Sequence, residues 1–292
     1  MELFNNKTAV ITGGAEGIGL AIARAVGQQG MNVVLGDIDA AKVAATAAAL
    51  RAEGINAAAL GMDVSKPEDW QALADLALNT FGAVHALVNN AGVGGRPSTV
   101  ESTSLKDWRW VIDVNLMGVV MGMQTLVPHI KAAGGGWVVN VGSMAGLLGV
   151  PYGGAYNATK VAVVALSEGW AQELAKDHIH VAALCPGFVK TRIHMSTRNK
   201  TAEYLDEGEA HNPDESSNPM AAVVNGGIDT DLVGARVVEA LRAGEQFIIT
   251  HPNYRPAIQG RHQRLDEAFA RAAESPLVQH VAEDPMDAFV PR

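Results

Sequence analysis

The sequence predicts an α/β fold in which about seven parallel strands form a doubly wound sheet with helices on both faces. Short apolar runs rich in β-branched residues alternate with helical segments, as in folds built from parallel crossovers. A glycine-rich turn at residues 12–19 follows the first run. Polar or turn residues follow the later runs, and ligands bind such sheets at the carboxyl ends of the strands.

The amino-acid composition and charge limit the classes of protein that the chain fits. The 292 residues are 48% hydrophobic and 18% charged, which suits a folded chain with a large core. A net charge of −9 disfavours partners such as nucleic acid or anionic lipid. The one cysteine, Cys185, fits a reducing compartment and a buried structural thiol. Because the N-terminus lacks a signal-peptide pattern and no apolar stretch reaches about 20 residues, we expect no membrane span and a cytoplasmic protein.

The first strand, turn and helix have the features of a dinucleotide site. Residues 7–12 read as a strand, and glycines in the turn let the backbone approach a phosphate at the start of the helix that follows. A second strand at 31–36 ends in Asp37, where an acid can bind the adenosine ribose, although Asp37 could instead cap a helix. Its carboxylate would repel the 2′-phosphate of NADP, and Glu16 adds a second negative charge. NAD is therefore the predicted cofactor.

The alternation of strands and helices continues after Asp37. Asp39 caps an alanine-rich helix that ends near Gly54, and residues 55–62 read as the third strand. Ser65 and Glu68 have the spacing of a capping box for a helix to about residue 81.

Two further strands end in polar sequence. Residues 84–88 run into Asn-Asn-Ala-Gly at 89–92, and residues 137–141 lead to Ser143. Between them, a helix from Ser104 to about residue 131 carries Asn115. Each of these polar residues taken alone has an ordinary structural explanation, such as a turn former or a satisfied polar side chain in a helix.

Tyr156 and Lys160 lie four residues apart in the next helical segment. Positions four apart share one helix face, so the ammonium of Lys160 is expected to lie beside the phenol and to lower its pKa. An exposed helix face is the alternative interpretation, and the upstream serine and glycine-rich turn favour the catalytic one.

The last third of the chain is less regular. Residues 178–184 read as a sixth strand, and the polar segment 192–228 is interpreted as a substrate lid, with disorder as the alternative. A helix at 231–242 and a strand at 246–250 precede a C-terminal extension at 251–292. The chain 1–292 is predicted to be one dinucleotide-binding and catalytic domain.

Together these motifs resemble the short-chain dehydrogenase/reductase family. The likeness covers about residues 5–192 and includes Thr-Gly-Gly-Ala-Glu-Gly-Ile-Gly at 12–19, Asn-Asn-Ala-Gly at 89–92, and Pro-Gly at 186–187. The resemblance implies a Rossmann-like fold with Tyr156 as the catalytic acid/base. It also implies that Lys160 lowers the phenol pKa and holds the nicotinamide ribose, that Ser143 bonds the reacting oxygen, and that Asn115 keeps a proton-relay water in place.

The same resemblance implies a set of cofactor-binding residues. They are Gly13, Gly17, Ile18 and Gly19 for the pyrophosphate, Asp37 for the ribose, Asp63 and Val64 for the adenine, Asn89, Ala91 and Gly92 for the adenosine and central sheet, Tyr156 and Lys160, and Pro186, Gly187, Val189 and Thr191 for the nicotinamide. Met144, Tyr152 and Phe188 flank the catalytic residues, so we expect an apolar or aromatic substrate, with core packing as their alternative role. Residues from Arg192 onward depart from the common family pattern.

The predicted reaction is hydride transfer between NAD and a secondary alcohol or ketone, without a metal. Alternatives are a non-catalytic NAD(H)-binding sensor or structural subunit, and an epimerase or dehydratase of the same fold. Histidines such as His194 and His251 are expected to be surface or lid residues. The apolar run at 161–166 predicts a helix that pairs with a second copy, giving a homodimer or homotetramer.

Overall fold

The computed structural model describes residues 3–209, 220–278 and 280–281. The chain forms two compact units, Met1–His251 and Pro252–Arg292, and each is described by itself. Whether the whole chain acts as one domain stays a prediction.

The first unit is built on one sheet of seven parallel strands, which confirms the predicted fold class. The strands are β1 (Thr8–Thr12), β2 (Asn32–Asp37), β3 (Ala57–Gly61), β4 (Ala86–Asn89), β5 (Gly136–Val141), β6 (Ile179–Cys185) and β7 (Phe247–Ile249). Their order is β3-β2-β1-β4-β5-β6-β7. The order reverses between β1 and β4, so the crevice for a ligand lies beside the ends of these two strands.

Helices cover both faces of the sheet. They are α1 (Gly17–Gly27), α2 (Ala40–Ala52), α3 (Pro67–Phe81), α4 (Leu105–Ile112), α5 (Gly118–Ala132), α6 (Met144–Leu147), α7 (Gly154–Leu174), α8 (Met220–Asn225) and α9 (Thr230–Ala243). One apolar cluster joins α1, α2 and α9 to the sheet around Ile22, Leu50 and Val237. A second cluster, which includes Leu73 and Leu126, joins α3, α5 and α7 to the other face.

The predicted capping box is wrong. The helix α3 begins at Pro67, and its N-cap is Lys66, which makes no side-chain capping bond. Instead, Ser65 donates from its backbone and its hydroxyl to one oxygen of Asp63, at 2.9 and 2.7 Å. Because the helix begins one residue later than predicted, the Ser65 hydroxyl lies outside the N-cap position and donates within the turn instead.

The long helix predicted from Ser104 is interrupted by a π-helical turn at Asp113–Met117. Ser104 caps its start by accepting a bond from Asp107 N at 3.1 Å, as predicted. Contrary to our expectation from the sequence, the stretch Leu105–Ala132 is long and apolar enough to cross a membrane by length and composition. Half of the most apolar part of this stretch is buried inside the protein, as in a core helix.

A chain of buried polar side chains crosses the core beside β4 and β5. Asn89 Nδ2 donates to Asn140 Oδ1 at 2.8 Å, and Asn140 Nδ2 donates to Ser167 Oγ at 3.0 Å. The Ser167 hydroxyl in turn donates to Val163 O at 2.7 Å. Asn89 and Asn140 are also partners in the β4–β5 register.

The segment predicted as a lid contains two short 3₁₀ helices, Ile193–Asn199 and Ala202–Tyr204, followed by α8 after residues 210–219, which lie outside the described part. Lys200 anchors this segment, because its ammonium is 1% exposed and pairs with Asp107 and Glu209 at 2.7 and 2.8 Å.

The second unit contains one long helix, α10 (Arg255–Glu274), preceded by a 3₁₀ turn at Pro252–Tyr254. Every residue of α10 is at least partly exposed.

Candidate active site

The glycine-rich turn between β1 and α1 has a backbone that side chains would obstruct. Gly13 and Gly17 both have φ of +62°, a region that favours glycine. A Cβ on Gly19 would lie 2.2 Å from Gly13 O. The turn and the free amides at the start of α1 therefore form the kind of cradle that a pyrophosphate fills. Ile18 is partly buried and packs against the core below the turn.

Asn90 supports this turn, and the sequence interpretation missed it. Its side-chain amide donates to the carbonyls of Thr12 and Gly13 at 2.8 and 3.0 Å. The Thr12 hydroxyl accepts from the amides of Asn90 and Ala91, both at 3.1 Å. Asn89, which was predicted, has its side chain in the core instead, consistent with a role in the central sheet. The signal that could have identified Asn90 was its place one residue past the strand end.

Asp37 lies at the end of β2 and holds the turn from the other side. Its carboxylate accepts from Ala15 N at 3.0 Å and from Asp39 N at 3.1 Å. Burial raises the pKa of Asp37, and the two backbone hydrogen bonds oppose that rise. Two residues further on, Asp39 caps α2 by accepting a hydrogen bond from Lys42 N, as the sequence predicts.

Glu16 does not act as the second repulsive charge that we expected. It forms ion pairs with Lys42, with Arg198 at 2.6 Å and with Arg192 at 3.5 Å. Burial alone would raise the pKa of Glu16, but these cations outweigh it and the pKa is lowered. Because three cations surround one carboxylate, the local charge is positive, and Asp37 is left as the carboxylate that can oppose a 2′-phosphate.

The residues predicted to hold the adenine follow β3. Asp63 N donates to Asp69 Oδ2 at 2.7 Å, which fixes the start of this turn. Val64 is buried, and a Cβ on Gly118 would lie 3.1 Å from it, so the turn packs closely on the start of α5. Both predicted residues therefore lie at the same edge of the sheet as Asp37.

Three predicted catalytic side chains meet at the carboxyl end of β5. Ser143 is 9% exposed, and its hydroxyl accepts from Ala145 N at 3.1 Å, which caps α6. The Tyr156 phenol interacts with the Ser143 hydroxyl, and this interaction favours a lower phenol pKa. Lys160 lies one helical turn further along α7, with Nζ 5.5 Å from the centre of the Tyr156 ring.

The pKa values differ from the expectation. Burial raises the pKa of Tyr156, and the interaction with Ser143 opposes that rise. Burial lowers the pKa of Lys160 to about 8. The ammonium donates to Val141 O at 2.7 Å rather than to the phenol, so in the ligand-free protein it does not provide the predicted lowering of the tyrosine pKa.

Asn115 lies in the π-helical turn and is buried. Its side chain accepts from Val93 N at 2.7 Å and donates to Val93 O at 2.9 Å. A Cβ on Gly92 would lie 3.3 Å from Asn115 Oδ1 and 3.6 Å from Lys160 Nζ. The Asn-Asn-Ala-Gly segment therefore reaches both Asn115 and Lys160.

The loop after β6, residues 186–191, closes the crevice and is called the post-β6 loop below. Pro186 O accepts from Met144 N at 2.8 Å, which joins the loop to the segment after Ser143. Val189 is buried and forms a parallel bridge with Ile228. A Cβ on Gly17 would lie 3.4 Å from the Thr191 side chain, so the loop also reaches the glycine-rich turn.

Two histidines were expected at the surface or in the lid. His194 does lie in the lid segment. The expectation was wrong for His251, which is half-buried and makes hydrogen bonds to the post-β6 loop. A histidine after the last strand gave no sequence signal of this contact.

The candidate substrate residues differ in exposure. Tyr152 is 64% exposed and has φ of +63°, an uncommon conformation for a bulky residue. Phe188 is 37% exposed, whereas Met144 is buried. Tyr152 and Phe188 therefore present aromatic surface, and Met144 packs inside. Burial raises the pKa of Cys185 to about 12, which suits a structural thiol.

The chain is similar to known dehydrogenases. Residues 7–202 match the family model described as short chain dehydrogenase. A cyclohexanol dehydrogenase of Acinetobacter sp. (strain SE19) is 42% identical over 188 residues, which is 64% of this chain and 75% of the relative. A C alpha-dehydrogenase of Sphingobium sp. (strain NBRC 103272 / SYK-6) is 31% identical over 94% of this chain and 90% of its own length.

A solved structure shares both the fold and the sequence pattern. The crystal structure of a short chain dehydrogenase/reductase from Burkholderia phymatum in complex with NAD superposes with a TM-score of 0.86 at 35% identity. The match covers 92% of this chain and 97% of that one.

Proposed function

The chain belongs to the short-chain dehydrogenase family, and from this membership we propose that Tyr156, Ser143 and Lys160 carry the reaction of an NAD-dependent oxidoreductase acting on CH–OH groups. The observation that supports these roles is the meeting of the three side chains at the end of β5, where Gly92 comes close to Lys160. A crevice that contains a phosphate cradle together with a phenol, a hydroxyl and an ammonium is suited to proton transfer beside a bound dinucleotide.

The residues present fit NAD. The glycine-rich turn offers a cradle that a Cβ on Gly19 would fill, and Asp37 lies where the adenosine ribose hydroxyls would need an acceptor. The post-β6 loop and Lys160 would hold the nicotinamide half. When bound, NAD accepts or supplies the hydride.

The chain's own residues would move the proton. As a phenolate, Tyr156 accepts the hydroxyl proton of an alcohol, and as a phenol it returns a proton to a carbonyl. Ser143, which lies beside Tyr156, donates to the reacting oxygen and stabilises its developing charge. Because burial raises the tyrosine pKa, the ligand-free protein holds the protonated form at neutral pH, the form required for carbonyl reduction.

The proposed substrate is a secondary alcohol or ketone with an apolar or aromatic body. Support comes from Tyr152, Phe188 and Val150, which expose 64%, 37% and 43% of their surface near the catalytic residues in sequence. The name of the Acinetobacter relative, cyclohexanol dehydrogenase, agrees with such a substrate.

The test is an initial-rate assay at 340 nm with NAD or NADP and two sets of alcohols. We expect turnover with cyclohexanol and 1-phenylethanol, and much less with glycerol or 2,3-butanediol. Equal rates across both sets would refute the substrate class. NADH binding without turnover on any alcohol or ketone would favour the alternative of a non-catalytic NAD(H)-binding subunit.

We also propose that the protein is a homo-oligomer, with a cytoplasmic location retained as a prediction. Val161 on α7 and Met117 in the π-helical turn are 47% and 41% exposed. The helix α7 packs against α4 and the π-helical turn, so these apolar side chains belong to neighbouring elements. A second copy would cover them.

A further inference from the structure

His251 follows β7 and reaches the post-β6 loop with both ring nitrogens. Gly187 N donates to Nδ1 at 3.1 Å, and Nε2 lies 3.1 Å from Phe188 O. The Thr250 hydroxyl also lies 2.8 Å from Nδ1. One ring therefore binds two consecutive residues of the loop.

The partners define the ring's tautomer. A backbone N–H can only donate, so Nδ1 must accept and carry no proton. A carbonyl can only accept, so Nε2 must carry the proton and donate to Phe188 O. With Nε2 as the donor to Phe188 O, Nδ1 is the acceptor that the Gly187 amide and the Thr250 hydroxyl share.

Packing at Gly187 gives an independent observation. A Cβ on Gly187 would lie 2.9 Å from His251 Cγ and 3.0 Å from Cδ2, closer than carbon atoms approach in proteins. The imidazole therefore lies directly against the Gly187 backbone. Glycine at this position leaves the space that the ring fills.

The loop is also held from a second side. Ile228 N donates to Phe188 O at 3.0 Å, and Lys190 N donates to Ile228 O at 2.9 Å. Phe188 O consequently accepts two hydrogen bonds, one from the segment before α9 and one from His251. At the start of the loop, before Gly187, Pro186 O accepts from the backbone N–H of Met144, the residue after Ser143.

We propose that His251 is a positioning residue, which holds residues 186–188 so that the loop binds the nicotinamide half of the cofactor beside Tyr156. The proposal rests on the proposed function, because it takes the post-β6 loop as the nicotinamide side. His251 acts through the loop and need not contact the substrate.

Replacing His251 with alanine tests this role. Loss of both bonds should increase hydrogen exchange of peptides spanning 186–193 and weaken NADH binding in a fluorescence titration by about tenfold. The kcat should fall together with the NADH affinity, while the KM for the alcohol changes less. His251→Asn keeps an acceptor for Gly187 N but has no donor reaching Phe188 O, so it should give intermediate values. It also serves as the test if the alanine variant does not fold.

A double-mutant comparison tests the packing. Gly187→Ala should weaken NADH binding in the wild-type background because its Cβ meets the imidazole. In a His251→Ala background the same change should cost much less, since the ring is gone. An equal loss in both backgrounds would overturn the proposed contact.

His180 provides a matched control. Its Nε2 lies 3.0 Å from Glu245 O, so it also joins β6 to β7 through one backbone atom, but at the opposite end of the strands. His180→Ala should leave NADH binding and loop exchange unchanged. If it matches His251→Ala, or if His251→Ala alters neither measurement, His251 is only a structural residue. Exchange and NADH binding are read without turnover, so a protein inactive on every alcohol would refute the proposed function and leave this test readable.

Discussion

At the scale of single residues, Tyr156 is a tyrosine that interacts with both Ser143 and Lys160. Tyr156→Phe removes the acid/base and should lower kcat by about 10²–10⁴-fold with little change in NADH affinity. Tyr204→Phe is the control: its hydroxyl donates to Asp113 at 3.0 Å, so its loss should reduce stability more than kcat. Steady-state rates and NADH titrations of both variants decide the matter. Unchanged turnover in Tyr156→Phe would refute the mechanism.

Asp37 is the second residue with a distinct predicted effect. Asp37→Ala removes the carboxylate that would repel a 2′-phosphate, and the cations around Glu16 remain. The variant should lose NAD affinity and gain activity with NADP, measured as the ratio of kcat/KM for the two cofactors. A ratio equal to that of the wild type would assign cofactor choice to other residues.

The titration of Lys160 makes the stability of the folded protein depend on pH. Its pKa is about 8 in the folded protein and about 10.4 in an unfolded chain, so between these values the unfolded state binds the extra proton and stability rises with pH. Below pH 8 the full cost of burying the charge is present. Lys160→Met removes that cost together with the catalytic ammonium, so it should also lower kcat.

The stability advantage of Lys160→Met over wild type should therefore be largest below pH 8. It should shrink by at most about 1.4 kcal/mol per pH unit as the pH rises toward 10. Urea unfolding of the ligand-free proteins from pH 7 to 9 measures this difference, and comparing variants cancels the opposite contribution of Cys185, whose folded pKa is raised. A constant difference across this range would contradict a buried, titrating lysine.

At the scale of elements, the lid segment is held by one buried ammonium. Lys200→Met would remove the cation that Asp107 and Glu209 share, with Arg96 left as the partner of Glu209, and should lower the free energy of unfolding by about 3 kcal/mol. We also expect a higher KM for the alcohol with unchanged NADH affinity. Lys66→Met is the matched control, because its pair with Glu203 joins the same segment at the exposed surface. Equal effects of the two variants would show that Lys200 has no special anchoring role.

Elements also show where sequence patterns are sufficient. The strands were predicted because apolar runs between helices have few alternative folds, and the helix caps at Asp39 and Ser104 were predicted because each has a free amide three residues on. The rule failed for Ser65, because the helix begins one residue later and Lys66 occupies the N-cap position. The π-helical turn was not predicted, and the Asn115 side chain within it binds Val93, 22 residues away.

The same reasoning applies to the site. Motif residues at strand ends were placed correctly because a parallel sheet brings those ends to one edge. His251 and the cations around Glu16 were missed because their partners are far away in sequence. Arg198 is 182 residues from Glu16, and His251 is 64 residues from Gly187.

At the scale of the whole molecule, the structure changes which residue tests oligomer formation. The apolar run at 161–166 contains Val164, but Val164 is 5% exposed and packs within the chain, where a Cβ on Gly142 or Gly146 would approach it within 3.0 Å. A glutamate there would damage the fold in any oligomeric state. Val161, which is 47% exposed on the same helix, is the informative position.

Val161→Glu should convert the protein to a smaller species, because a charge at a dry interface is costly. Light scattering coupled to size-exclusion chromatography measures the mass. Leu3→Glu, at a residue 45% exposed near the N-terminus, should leave the mass unchanged. A fully active wild-type monomer at micromolar concentration would end the proposal of a homo-oligomer.

The buried pair Asn89 and Asn140 has a consequence for how the chain finds its native alignment. Valine and leucine dominate β4 and β5, so sliding one strand along the other by two residues would keep apolar side chains on the same faces. The slip would move one strand by about 6.6 Å. It would also break the amide bond between the two asparagines and leave both groups buried without that partner. The pair therefore favours the native register of β4 and β5 over the slipped one. Asn90 and Ser143 follow these two strands, so the same register keeps them at one level of the crevice.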